Sequence, residues 1–154
     1  SGVLTMLLKT RALGALAGFV SLVALTGTSV AADRPYSEGV VVNVSSVRTE
    51  PGQFEAYMAY LAGPYKQLMD EMKKAGIIVD YAVYQVVPRS PSDPDLFLTT
   101  TYKNMAALDG LDARSDAITE KVFGNMQQQS ASTVSRGKLR TLVGDELIRE
   151  MVLK

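Results

Sequence analysis

From Gly39 to Val47 the chain reads GVVVNVSSV, with valine at nearly every position of its first half. Such a run predicts a strand with both faces covered, Val40, Val42 and Val44 pointing one way and Val41 and Val47 the other. Arg48–Gly52 reads as a turn into a helix. Between Gln53 and Ala75 the apolar residues fall at Phe54, Met58, Leu61, Tyr65, Leu68 and Met72, alternate steps of four and three that lie along one helical stripe. Gly63-Pro64 interrupts it. Pro64 has no N–H to give the Tyr60 carbonyl and its ring crowds that turn, so a kink is expected there, with Gly76 as the helix stop. Ile77–Val87 (IIVDYAVYQVV), rich in β-branched and aromatic residues, predicts a second strand. A polar, proline-studded loop (Pro88–Asp95) follows, and then a third strand, Leu96–Tyr102. A second helix carries Leu108, Leu111, Ile118 and Val122 on one side. Residues 124–135, polar and glutamine-rich, predict a short helix or an extended loop. Residues 136–144 give only a weak pattern, and Glu146–Leu153 closes the chain as a fourth strand.

The order β-α-β-β-α-β predicts an α+β sandwich, one four-stranded antiparallel sheet with its helices on one face. Strands apolar on both sides then leave the second face uncovered. A domain this small cannot cover that face itself, so a second copy of the chain is expected on it, as a homodimer through the sheet.

The first 32 residues are of another kind. Lys9 and Arg11 precede an uncharged stretch, Ala12–Val30, and the small residues of Ser29-Val30-Ala31-Ala32 come just before Asp33-Arg34-Pro35. A basic start, an apolar middle and a small-x-small end describe a secretory signal peptide, with Met6 as its start and residues 1–5 upstream. Cleavage is expected after Ala32, with Ala31 the near alternative. A retained membrane anchor is the competing expectation, but Gly27, Thr28 and Ser29 weaken the end of the run and no basic stop-transfer cluster follows. Periplasmic or secreted localisation follows, with no membrane association after cleavage. Residues 33–154 would then form a single domain, with a net charge of −2 once Lys9 and Arg11 are lost.

Composition narrows the chemistry. There is no His, no Cys and no Trp. Ser-His-Asp and Cys-His nucleophile systems, thiolate metal centres and disulfides are therefore excluded within the chain, as is the commonest haem ligand. No cofactor and no metal are expected. Sixteen basic residues balance sixteen acidic ones without a basic block, which argues against nucleic-acid binding. Asp109, Asp112, Asp116 and Glu120 share one helical face, the pattern of a solvated surface.

The Val47–Phe54 junction through Pro51-Gly52, the kinked GPYKQLMDEMKKAG helix, PSDPDLFLTTTYKNMAALD and the terminal GDELIREMVLK together resemble the dimeric α+β-barrel superfamily. That superfamily is built from ferredoxin-like domains paired sheet to sheet, and the resemblance is closest to a group of exported bacterial proteins within it. It implies a ferredoxin-like fold over most of residues 33–154. The superfamily includes haem-degrading monooxygenases, cofactor-independent oxygenases of aromatic substrates, and members without known activity. In the haem-degrading branch an Asn on the first strand acts with a Trp and a haem-ligating His. Asn43 is similarly placed, but this chain has nothing to complete that set.

Candidate ligand-binding residues are Asn43 on the first strand, Tyr65 on the helix, Tyr84 on the second strand and Thr99 on the third, with Asp80 and Thr101 as further polar positions. No catalytic role is assigned to any of them. Two functions stay open. One is a non-catalytic dimeric protein that binds a small, neutral, apolar or aromatic molecule. The other, implied by the resemblance, is a cofactor-independent monooxygenase-like enzyme acting on an aromatic or quinol substrate.

Overall fold

The structure is a computed structural model that describes residues 33–154; the expected signal segment, 1–32, lies outside the described residues. Strand β1 (Tyr36–Thr49) leads into α1 (Phe54–Tyr60), a π-helical turn (Leu61–Tyr65) and α2 (Lys66–Lys74). Strands β2 (Asp80–Gln85) and β3 (Leu96–Tyr102) follow, then a short 3₁₀ turn (Met105–Leu108), α3 (Leu111–Phe123), α4 (Met126–Gly137) and β4 (Arg140–Leu153). The sheet order is β2-β3-β1-β4 and every neighbouring pair is antiparallel. With helices on one face only, this is the ferredoxin-like α+β arrangement that the element order predicts.

The kink falls where Gly63-Pro64 places it. Gly63 leaves helical geometry (φ −100°, ψ −108°), and the widened turn spares Pro64 the hydrogen bond it cannot donate. The helix stops at Gly76, whose φ of +71° is a left-handed conformation that glycine adopts without cost. Ile77 N–H then donates to the Met72 carbonyl at 3.0 Å, the backward bond that closes a helix C-terminus.

Strand β1 is longer than expected at both ends, β2 is shorter at both, and the second helix is split into the 3₁₀ turn and α3; three departures bear on the site. Strand β2 starts at Asp80, because Ile77 and Ile78 drop into the core beneath α2 instead of entering the sheet. Residues 126–137 form a full helix held by a capping box: Asn125 Oδ1 accepts from the Gln127 and Gln128 N–H groups, both at 3.1 Å, and Gln128 Oε1 accepts from the Asn125 N–H. Strand β4 begins at Arg140, six residues earlier than expected, and pairs along nearly all of β1 through two register shifts.

Alternation along β1 assigns the faces. Val41 and Val47, 0 and 1% exposed, pack under the helices in two adjoining clusters. The first joins Val41 to Met69, Met72, Ile77, Ile78 and Tyr102; the second joins Val47 to Tyr57, Leu61 and Leu96. Tyr65 touches both. Val42 and Val44 face the other way, beside Phe97, Thr99 and Thr101 of β3 and Glu146 and Ile148 of β4. No element of the described residues covers that side, and Tyr84 and Ile148 on it are 55 and 50% exposed.

Candidate functional site

Between the sheet and the α1–α2 limb lies a cleft of about 210 Å³. Its apolar lining is Val47, Leu98, Met69 and Leu142, and its aromatic wall is Tyr57, Tyr60 and Tyr65. Helical spacing explains the wall. Tyr57 and Tyr60 are three residues apart on α1, so they share a face and stack, with centroids 5.9 Å apart and planes 11° from parallel. The π turn carries Tyr65 round to the same side, where its ring meets Tyr81 edge-on at 6.2 Å.

The polar lining comes from farther along the chain. Arg136, near the end of α4, donates from Nη1 to the Tyr60 hydroxyl at 3.1 Å. Its guanidinium carbon is 5.9 Å from the Tyr60 ring centre, within cation–π range. Arg140 opens β4 and also lines the cleft; its Nε is buried with no hydrogen-bond partner. On the sheet, Asp145 Oδ1 accepts from Ser45 Oγ at 2.7 Å and from Asn43 Nδ2 at 3.1 Å. Ser45 and Asp145 are direct cross-strand neighbours, which is why the three groups meet.

The tyrosines are held as neutral phenols. Burial pushes the Tyr65 hydroxyl far above its usual range, with Tyr57, Tyr81 and Tyr60 adding to the effect and the Thr100 hydroxyl opposing it. Burial also raises Tyr57, and the positive charges of Arg140 and Arg136 pull it partly back. Tyr102 is raised by burial and then by the negative charge of Asp145. Near neutral pH these hydroxyls are hydrogen-bond donors, and the cleft's carboxylate is Asp145.

The sheet separates the four residues that the sequence grouped. Tyr65 lines the cleft, and Asn43 stands at its edge through Asp145. Tyr84 and Thr99 lie on the opposite, open face: Tyr84 pairs with Phe97, and Thr99 pairs with Ala82 and donates to its carbonyl at 3.4 Å. Thr101 lies there too, paired with Asp80, whose carboxylate takes a salt bridge from Lys73 at 2.8 Å. Thr100, between the two named threonines, is the one in the cleft. Asp112, Asp116 and Glu120 are exposed on α3, and no group of three or more acidic side chains among the described residues is placed to hold a metal ion. Sequence reasoning missed Tyr57, Tyr60, Ser45, Arg136, Arg140 and Asp145. The available signal was the Tyr57–Tyr60 spacing; the arginines have none until β4 is known to start at Arg140.

A second opening, about 340 Å³, lies on the open face beneath the proline-rich loop, between Val44, Phe97, Val87 and Pro94.

No protein-family model matches the sequence, and comparison with curated proteins gives no match. Solved structures similar to the chain include a protein from Shewanella oneidensis, at 17% identity and TM-score 0.48, covering 76% of this chain and 96% of that one. A dimeric ferredoxin-like protein from an uncultured marine organism is similar at 13% identity and TM-score 0.48, covering 77% and 98%. HapK from Hahella chejuensis is similar at 10% identity and TM-score 0.44, covering 71% and 91%. By its own strand order and one-sided helices, the chain has the ferredoxin-like fold.

Proposed function

We propose that this protein is a non-catalytic binder of a small aromatic molecule, held in the cleft between sheet and helices. The observation that carries this is the cleft's wall of three tyrosines over an apolar floor, in a space of about 210 Å³. An apolar cavity of about 150 Å³ accepts benzene, so a single substituted ring is the right size. Neutral phenols around the ring supply hydrogen bonds without supplying a base. The open sheet face, with Val42, Val44, Phe97 and Ile148, is assigned to a second copy of the chain, and residues 1–32 to export from the cytoplasm.

The chain has seven Tyr and no Trp, and Tyr57, Tyr60 and Tyr65 line the cleft, so part of the tyrosine fluorescence responds to a ligand there. Titration with a neutral one-ring compound such as benzamide is expected to quench that fluorescence saturably, and Tyr60→Leu to weaken the effect. Unsaturable, variant-independent quenching by both benzamide and its charged counterpart benzoate would refute the proposal. Oxygen uptake with a quinol in place of simple binding would instead establish the monooxygenase alternative.

A further inference from the structure

We infer that the ligand of this cleft is an aromatic anion, its acidic oxygen seated between Arg136 and Arg140. The inference rests on the cleft-binding proposal above and adds the chemical class of what is bound. Two guanidinium groups from different elements line the same small space. Among the described residues neither makes a salt bridge; Lys66, Lys73, Lys121 and Arg149 do. Asp145 is the one carboxylate in the lining, and its Oδ1 is already taken by Ser45 and Asn43. The lining therefore carries one positive charge in excess.

The state of Arg140 sharpens this. Its Nε–H is a donor on a permanently charged group, buried with nothing to donate to. A buried donor without a partner is costly, and more so when it belongs to a charged group. Arg136 is oriented by the Tyr60 hydroxyl and ring. A planar carboxylate or phenolate oxygen fits a guanidinium fork, and its ring can lie against the tyrosine wall. A neutral ring would leave the excess positive charge of the two guanidinium groups unbalanced, whereas an anionic ring would offset it.

The test compares benzoate with benzamide, which has the same shape without the charge, by calorimetric titration of the purified protein. Benzoate is expected to bind about tenfold more tightly or better, as charge-assisted hydrogen bonds to a guanidinium would produce. That preference, read as the ratio of benzoate to benzamide affinity in each variant, should be lost in Arg140→Gln and reduced in Arg136→Gln. Circular dichroism establishes that each variant is folded, and Arg136→Gln alone suffices if Arg140→Gln is not. Equal affinity for the two compounds would overturn the anion inference and leave cleft binding intact. Binding of neither would remove the proposal beneath it. A benzoate preference that survives both substitutions would place the anion elsewhere and also overturn the inference.

Discussion

Raising the pH should unfold this domain through its buried phenols. Tyr57, Tyr65 and Tyr102 all have hydroxyls pushed above the ordinary value of 10.0, burial being the largest cause for each. The unfolded chain loses these three protons near pH 10, whereas the folded chain keeps them. Stability is therefore untouched by these groups below pH 10 and declines as pH rises above it. Each phenol still protonated in the fold and ionised in the unfolded chain contributes a slope of about 1.4 kcal/mol per pH unit. Tyr65, the most strongly raised of the three, keeps this slope over the widest range, and Tyr57 and Tyr102 add to it while they stay protonated, against a total stability of about 5–15 kcal/mol for a domain. The assay is an alkaline titration following phenolate absorbance and far-ultraviolet circular dichroism on one sample. Phenolate from these residues should appear together with loss of structure, and Tyr65→Phe should flatten the alkaline limb more than Tyr57→Phe or Tyr102→Phe. If all seven tyrosines ionise while the dichroism is still native, the reasoning is refuted.

Three further outcomes are expected. Leu96→Ala, at a site 1% exposed between Val47, Tyr57 and Leu61, should cost about 3 kcal/mol and lower Tm by about 12 °C in calorimetry; a change within error would mean the second core cluster is not packed as described. Asp93 accepts from the Ser90 hydroxyl at 2.9 Å and from the Arg89 and Ser90 N–H groups, both at 3.0 Å, which holds its carboxyl below the usual 3.8. Its contribution is full above about pH 4 and is lost as pH falls through the lowered value, so Asp93→Asn should flatten the acid limb of a plot of Tm against pH; an unchanged limb would argue against it. Val44→Arg on the open face should leave the circular dichroism native and halve the mass seen by light scattering; a dimer that persists would place the second copy elsewhere.

The kink at Gly63-Pro64, the helix stop at Gly76 and the strand at Leu96–Tyr102 were legible because each rests on local chemistry: a missing N–H, a left-handed φ, a β-branched run. What escaped depends on partners far away in the chain. Arg140–Val143 shows no strand pattern of its own and becomes strand through Val47, Arg48 and Thr49, across a register shift. Helix α4 has no apolar stripe to betray it; its one local signal is the Asn125–Gln128 cap. The placement of the candidate site residues depends on distant partners in the same way. Tyr84 and Thr99 are polar residues on strands, as Asn43 is, but the side a strand residue faces depends on register, which no single strand discloses. The arginines that complete the cleft lie 76 or more residues from Tyr60 in sequence, and only the return of β4 beside β1 brings them back.

The alternation along β1 carries one more consequence. Odd-numbered positions from Val41 to Val47 line the helix side, and the even-numbered ones between them form the open side. The segment is thus two interleaved texts written on one line, each read by skipping the other's letters. Substitutions can edit either text alone. Losing or gaining one residue between Val41 and Val47 cannot, because it would send Val42 and Val44 toward the tyrosines and turn Asn43 and Ser45 outward in a single step. The two register shifts against β4, at Glu38/Val41 and Ser46/Val47, bracket Val41–Ser46, so irregularity is already absorbed at either end. Length variation in this fold should therefore accumulate at those two points and spare the six positions between them.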